Sequence, residues 1–325
     1  MDNDITVFAG SAHPEFARRM CESLGVELQP ARTTRFSNDC LQVQLEANCR
    51  RRDVYIVQPL VPPVQENLVE LLLMLDAARG ASATHVTAVI PHFSYARSDK
   101  KDASRISIGG RLVADLLVAS GATRVITMAL HSPQVHGFFS VPIDHLSAVP
   151  ALANHFAGQG RDLSRTVVVS PDLGNAKVAS QMADLLGVDV AAGSKRRMAD
   201  DKVVIDSIVG EVAGCDVIVL DDEIANGGSI AELVRVLRER GVGTISVACT
   251  HGLFTGPALQ RLAALDGVDE IVSTDTVPFP AAEPLPNMRT CSVTPLFAEA
   301  VRRTNRGESV SSLFDRPPAG VPAVE

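Results

Sequence analysis

The sequence predicts an α/β protein with two domains of the same kind, each a mainly parallel sheet flanked by helices. Short apolar runs typical of buried strands alternate along the chain with stretches in which apolar residues recur every three or four positions. In residues 64–78, for example, Leu68, Leu71, Leu72 and Leu75 fall on one helical face. Strands that alternate with amphipathic helices are typical of parallel sheets covered by helices.

The same order of elements occurs in both halves of the chain. In the first half we predict strands at 5–9, 53–57, 85–90 and 124–128 and helices at 64–78 and 108–119. In the second half we predict strands at 166–170, 216–220 and 244–249 and helices at 176–186 and 228–240. This repetition indicates a duplicated unit. We therefore expect one domain over residues 1–149 and a second over 150–325, with a helical stretch at 294–306 packing back on the first domain.

The composition excludes several classes of protein. The chain has 325 residues, of which 46% are hydrophobic and 21% charged, as in ordinary folded domains, and we expect disorder only in the proline-rich tail at 317–325. The net charge of −8 disfavours a nucleic-acid partner but leaves room for a small anionic substrate. No CxxC pair indicates zinc, and neither a signal peptide nor a membrane span is predicted. We therefore expect a protein of the reducing cytoplasm with free thiols.

The segment with the most specific chemical pattern lies at residues 221–229, between a predicted strand and a predicted helix. It reads Asp221-Asp222-Glu223-Ile224-Ala225-Asn226-Gly227-Gly228-Ser229. Glycines let backbone N–H groups approach an anion, and the N-terminus of a helix favours a phosphate. Adjacent carboxylates can accept hydrogen bonds from sugar hydroxyls or hold a metal. An ordinary turn with a serine cap has the same composition, so the pattern alone leaves both interpretations open.

Four further segments carry groups that could perform chemistry, and each also has an ordinary structural explanation. His131 and Asp172 directly follow predicted strands, where an imidazole or a carboxylate can bind a metal or cap a turn. Lys195, Arg196 and Arg197 lie outside any periodic element, which suits either a mobile loop that closes on a polyphosphate or a solvated basic turn. The fourth segment, residues 91–105, combines several cations with two aromatic side chains.

In their order and spacing these segments resemble the ribose-phosphate diphosphokinases, also called phosphoribosyl pyrophosphate synthetases. The similarity extends from Val7 to about Phe314. The matching residues are Phe8 to Gly10, Arg35 to Ser37, Ser94 to Arg97, Asp99 to Asp102, His131, Gly137 to Phe139, Ser170 to Asp172, Lys195 to Arg197, Asp221, Asp222, Gly227 and Gly228. The resemblance implies two phosphoribosyltransferase-type domains that transfer the β,γ-diphosphoryl group of ATP to the anomeric hydroxyl of ribose 5-phosphate. It further implies Mg²⁺ and a homo-oligomer whose adenine site is shared between subunits.

The resemblance assigns a role to each matching position. The catalytic cations would be Lys195 and Arg197, and the metal would be held by His131 and Asp172. The sugar phosphate would be bound by Asp221, Asp222, Ala225, Asn226, Gly227, Gly228 and Ser229. ATP would be bound by Phe36, Asn38, Cys40, Arg97, Ser98 and Lys101, the first three of them from a neighbouring subunit.

The departures from the family pattern lie in these same segments. Ala225 replaces an aspartate near the anomeric end of the sugar, and Asn226 replaces a threonine. Ala129 replaces the aspartate two residues before His131. On the ATP side, Asn38 replaces an aspartate, Cys40 replaces a glutamate and Ser98 replaces a glutamine.

Three interpretations follow from these departures. The first is a ribose 5-phosphate diphosphokinase with neutral substitutions. The second is the same reaction on another sugar phosphate, because the Ala225 methyl leaves room for the hydroxymethyl group of a ketose 6-phosphate. The third is a non-catalytic regulatory subunit of a diphosphokinase oligomer. The retained Lys195 and Arg197 favour the two enzyme interpretations, since these cations would stabilise the transferring group.

Overall fold

The computed structural model describes residues 5–199, 202–279 and 284–313, with the side chains of 195–199 and 202–204 outside the description. The chain divides into two compact units. The first draws its described residues from Met1–Ser147, Thr276–Pro278 and Val293–Ala319, and the second from Ala148–Asp275 and Phe279–Ser292. Within the described ranges, no helix is both long and apolar enough to cross a membrane.

The predicted α/β class is confirmed. The helices are α1 (Pro14–Leu24), α2 (Val64–Gly80), α3 (Gly109–Ser120), α4 (Val149–Ala157), α5 (Ala176–Leu186), α6 (Gly228–Glu239), α7 (Ala258–Ala263) and α8 (Thr294–Arg306). The strands are β1 (Ile5–Ala9), β2 (Leu28–Gln29), β3 (Ala31–Arg35), β4 (Leu41–Leu45), β5 (Asp53–Val57), β6 (His85–Ile90), β7 (Arg124–Met128), β8 (Ile143–Leu146), β9 (Thr166–Ser170), β10 (Asp189–Ala199), β11 (Lys202–Val209), β12 (Asp216–Ile224), β13 (Ile245–Gly252), β14 (Val268–Thr274) and β15 (Met288–Cys291).

The first unit is built on a six-stranded sheet in the order β2-β1-β5-β6-β7-β8, in which every pairing is parallel. Ile56 of β5 belongs to the core on the side of α2, together with Leu71. Because side chains alternate along a strand, Tyr55 points to the opposite face. There its hydroxyl lies 3.5 Å from the Val301 carbonyl of α8. Helix α8 therefore covers the face of this sheet that α2 leaves open.

A two-stranded antiparallel hairpin, β3–β4, is inserted between β2 and β5 and was not predicted from the sequence. Strand β4 alternates apolar and polar residues and packs its apolar side against the core, whereas four of the five residues in β3 are exposed. Two side-chain contacts tie the hairpin to α2. Thr33 donates to the buried carboxylate of Glu70, and Arg35 pairs with Glu66. The hairpin is thus held by apolar packing of β4 together with polar contacts of β3.

The second unit is built on a seven-stranded sheet in the order β11-β10-β9-β12-β13-β14-β15, parallel except for β11. Strand β12 is longer than predicted. It was expected to end at residue 220, but it continues to Ile224, so the loop expected at 221–229 is confined to a short turn before α6. The extension forms because β13 also continues, which lets Asp221 face Cys249 and Ile224 face Gly252 in the ladder.

The basic segment at 194–198 was expected to lie outside any regular element, and this expectation is wrong for the backbone. It lies in β10, where Lys195 is paired with Ile205 and Arg197 with Val203 of the antiparallel strand β11. Strand β10 pairs with β9 only over residues 189–192. Beyond that point β10 and β11 continue as a two-stranded ribbon, so the segment can be regular without an apolar pattern.

We expect α8 to be essential to the first unit, because Phe297 of α8 packs edge-on against Phe16 of α1. The ring centroids lie 5.2 Å apart, and both side chains are buried. Phe297→Ala should lower the free energy of unfolding by about 3–5 kcal/mol, and Phe297→Leu by less. Urea unfolding monitored by circular dichroism measures both. The exposed Phe36 provides the control, since Phe36→Ala should change stability little. A loss as small as that of Phe36→Ala would contradict the packing role of Phe297.

Candidate functional site

Three carboxylates lie at the carboxyl ends of neighbouring strands in the second unit. Asp172 follows β9, and Asp221 and Asp222 lie in the last part of β12, which pairs in parallel with β9. Ligands of parallel sheets bind at this edge. The two strand ends are also linked directly, because the Asn175 side-chain amide lies 3.3 Å from the Leu220 carbonyl.

The carboxylate of Asp172 has a structural role. Its Oδ1 accepts from the Asn175 amide at 3.1 Å and so caps the short 3₁₀ turn Leu173–Asn175. This is the cap that the sequence allowed as one explanation of the residue. Carboxylate oxygens are also the ligands that hard cations prefer, so the residue type suits a metal site as well as a cap.

The turn between β12 and α6 has the backbone shape of an anion cradle. Gly227 has a φ of 74°, in the left-handed region that favours glycine. Helix α6 then begins at Gly228, which places Ser229 in its first turn. The Asn226 side chain folds back onto the turn, where its Oδ1 accepts from the Gly228 amide at 3.0 Å. Asn226 therefore shapes the turn with its oxygen, and only its side-chain NH₂ group is suited to donate to a ligand.

The carboxylates of β12 affect a neighbouring thiol. Burial is the main cause that raises the pKa of Cys249 well above its usual value, and the charges of Asp221 and Asp222 contribute. Cys249 therefore stays a neutral thiol beside the site, as a small buried side chain.

In the first unit, Arg97 ends the short 3₁₀ turn Ser94–Arg97 that follows β6, and both Arg97 and Lys101 are exposed. Ser98 has a structural role. Its Oγ accepts from the Gly109 amide at 2.9 Å, and its carbonyl accepts from the Gly110 amide at 2.9 Å. These two contacts satisfy the first two amides of α3, so Ser98 caps that helix. They also hold together the two ends of the cationic loop between Ser98 and Gly109.

His131 is exposed and lies just beyond the end of β7. A hydrogen bond holds the backbone of the residue before it. The Leu130 amide donates to Nε2 of His145 at 2.8 Å. Burial, assisted by the charge of His136, lowers the pKa of His145 to about 4, so this ring is a neutral acceptor near pH 7. Ala129 has a φ of 43°, a conformation that a residue with a Cβ rarely adopts.

Phe36, Asn38 and Cys40 lie together at the tip of the β3–β4 hairpin. The Phe36 amide donates to the Cys40 carbonyl at 2.9 Å, and the Asn38 side-chain oxygen lies 3.3 Å from the Cys40 amide. Phe36 is 47% exposed, so its ring is available to a ligand or to another chain.

The structure groups the candidate residues by unit. The second unit brings Asp172, Asp221 and Asp222 to one sheet edge beside the turn, while the side chains of Lys195 and Arg197 lie outside the description. No cluster of three or more metal-binding side chains occurs among the described residues.

One residue near the turn was not identified from the sequence. Arg261 of α7 donates through Nη1 to the Asn226 carbonyl at 3.1 Å. The two residues are 35 positions apart, and Arg261 carries no motif of its own. Only the approach of α7 to the turn reveals the contact.

Comparison with known proteins identifies similar chains along nearly the whole sequence. Residues 5–121 match the N-terminal domain of ribose phosphate pyrophosphokinase, and residues 197–315 match the phosphoribosyl synthetase-associated domain. A Streptomyces coelicolor protein, provisionally named a ribose-phosphate pyrophosphokinase, is 64% identical over 98% of this chain and 99% of its own. The ribose-phosphate pyrophosphokinase of Deinococcus radiodurans is 48% identical over 95% of this chain and 98% of its own. The crystal structure of phosphoribosylpyrophosphate synthetase from Mycobacterium smegmatis is similar with a TM-score of 0.87 and 37% identity, covering 94% of this chain and 100% of that one.

We expect the backbone at Ala129 to be strained by its Cβ. Ala129→Gly should raise the free energy of unfolding by about 0.5–1 kcal/mol, because glycine adopts a positive φ without steric cost. Ala176→Gly is the matched control, since Ala176 has a φ of −59° and should lose stability. Urea unfolding of both variants measures the difference. A destabilised Ala129→Gly would argue against strain at this position.

We expect His145 to make stability depend on pH. Its folded pKa of about 4 is below the unfolded value, so the unfolded chain binds more protons between about pH 4 and 6.5. Stability contributed by neutral His145 is complete above about pH 6.5 and is lost as the pH falls towards 4. From pH 7 to 5 this loss is roughly 2 kcal/mol. His145→Gln should lose less over the same interval in urea unfolding, and an equal loss in both proteins would contradict the assignment.

Proposed function

Because the chain belongs to the ribose-phosphate pyrophosphokinase family, we propose that it transfers the β,γ-diphosphoryl group of ATP to the anomeric hydroxyl of ribose 5-phosphate. In this reaction the anomeric oxygen forms a bond to the β-phosphorus, the bond from that phosphorus to the α,β-bridging oxygen breaks, and AMP leaves. The observation that carries the proposal is the cradle at the start of α6, which lies directly beside Asp221 and Asp222.

The proposed sugar-phosphate site follows from the chemistry of this turn. The backbone amides of the turn before α6 and the hydroxyl of Ser229 would bind the 5-phosphate, with Gly227 and Gly228 allowing its close approach. The carboxylates of Asp221 and Asp222 would accept from the sugar hydroxyls. This arrangement would leave the sugar's anomeric end near Ala225.

The proposed ATP site uses the exposed cations of the first unit. Arg97 and Lys101 would contact the phosphate chain, while Ser98 fixes the loop that carries Lys101. The hairpin tip with Phe36, Asn38 and Cys40 would contact the adenine of a neighbouring subunit, for which the exposed ring of Phe36 is suited. The protein would then act as a homo-oligomer.

The proposal includes Mg²⁺, for which Asp172 is a suitable ligand, since hard cations prefer carboxylate oxygens and this residue follows the carboxyl end of β9. By the resemblance to the family, His131 would be a further ligand. When bound, the ion would neutralise charge on the phosphate chain. Lys195 and Arg197 would stabilise the negative charge that develops on the transferring group. The reaction would take place in the cytoplasm.

The test is direct. The protein is incubated with ATP, Mg²⁺ and a panel of sugar phosphates, and AMP formation is followed together with the phosphorus spectrum of the product. We expect AMP and a diphosphorylated sugar with ribose 5-phosphate, and their loss in Lys195→Met. The absence of AMP with every sugar would overturn the proposal and indicate a non-catalytic subunit.

Ala225 supports a second candidate, the same transfer to a ketose 6-phosphate. Its methyl group stands where the family has a carboxylate, and its side chain is not fully buried. If the methyl admits a ketose, Ala225→Asp should raise the ratio of kcat/KM for ribose 5-phosphate over that for fructose 6-phosphate by about tenfold or more. An unchanged ratio, or no reaction of the unaltered protein with any ketose phosphate, would exclude this second candidate.

A further inference from the structure

The turn between β12 and α6 is held from one side by the segment that follows β13. The amides of Phe254 and Thr255 donate to the carbonyls of Ile224 and Ala225, at 3.0 and 2.8 Å. Phe254 itself has a φ of 44°, and this bend directs two successive amides towards two successive carbonyls. The last residues before the turn's glycines are therefore fixed by backbone contacts.

Arg261 makes a similar contact with the carbonyl of the next residue, Asn226. Its Nη1 lies 3.1 Å from the Asn226 carbonyl, so a side chain holds the third consecutive carbonyl of the turn. Arg261 is half-buried, and its own amide donates to the Pro257 carbonyl at 2.9 Å. The guanidinium is thus presented from an ordered helical turn.

The direction of these carbonyls determines the direction of the amides that follow them. In a planar trans peptide the C=O group and the next N–H group point in opposite directions. When the carbonyls of residues 224–226 face residues 254–261, the amides of Ala225, Asn226 and Gly227 face away from them. A row of such amides forms an anion-binding concavity. The Gly228 amide is already used, because it donates to the Asn226 side chain.

We propose that Arg261 is a positioning residue for the sugar phosphate, acting by fixing the peptide between Asn226 and Gly227. This inference rests on the proposed function. Glycine at 227 makes this peptide easy to rotate, since its φ is not restricted by a Cβ. If the peptide turned over, a carbonyl oxygen would face the phosphate in place of an N–H group. Arg261 prevents that rotation by holding the carbonyl.

The test compares Arg261→Met with Arg261→Lys and with Arg240→Met. Arg240 is an exposed arginine at the far end of α6, so its variant removes the same charge from the same unit without touching the turn. In steady-state assays of AMP formation, Arg261→Met should raise the KM for ribose 5-phosphate about tenfold and leave the KM for ATP unchanged. Arg261→Lys, which keeps a donor, should recover most of that loss, and Arg240→Met should match the unaltered protein.

The melting temperature and the dissociation constant of ribose 5-phosphate without ATP, measured by calorimetry, complete the test. A weaker affinity for the sugar phosphate, with a melting temperature lowered by no more than about 2–4 °C, supports the positioning role. An unchanged KM for ribose 5-phosphate, or an equal rise in both KM values with a lowered melting temperature, would overturn it. If the unaltered protein forms no AMP from ribose 5-phosphate, the proposed function fails, and this inference fails with it.

Discussion

The parallel pairing of β9 with β12 is the contact on which the chemistry of the second unit depends. It aligns residues 167–169 with residues 217–219, and all six apolar side chains are buried. A shift of β12 by one residue along β9 would draw Asp216 or Asp221 into the buried stretch, because these charged residues bound its apolar run. The register therefore fixes where each strand ends, and so fixes the carboxylates of Asp172 and Asp221 at one edge of the sheet.

The turn beyond β12 shows how a polar segment can be rigid without an apolar core of its own. Its carbonyls are held by residues 254–261, and the amide of Gly228 is held by Asn226. Each contact is worth only about 1 kcal/mol to stability. Their main effect is to fix the direction of the turn's amides, because amides that already point towards a bound phosphate need no reorganisation when it binds.

The strands in apolar runs were predictable because burial on both faces leaves a continuous hydrophobic signal. Strands β1, β5, β6, β7 and β9 have the predicted bounds. The prediction failed where pairing alone maintains the strand. Asp221 to Glu223 are acidic and read as a loop, yet the extended β13 keeps them in the ladder. The β3–β4 hairpin and the β10–β11 pair were also missed, although the alternation in β4 and the apolar residues of β11 are typical of strands.

The positions of the candidate residues along the chain were predictable from strand ends, but their contacts were not. Ser98 was assigned to ATP by resemblance, and the structure shows its oxygen atoms on the first amides of α3. The contact between Arg261 and Asn226 joins residues far apart in sequence, which no local pattern encodes. Such contacts depend on how α7 approaches the turn, a property of the assembled unit.

The departures from the family pattern differ in what they can change. Asn226 uses its side chain to close the turn, so a substitution there alters the shape of the cradle. Ala225 contributes to that shape only through its carbonyl, which any residue would supply. Its side chain is therefore free to vary without disturbing the backbone that binds the phosphate. In the proposed site a change at 225 would alter the groups that meet the sugar's reacting end, whereas the phosphate would remain bound by the same amides. This separation would allow one fold to keep its phosphate site while its acceptor changes.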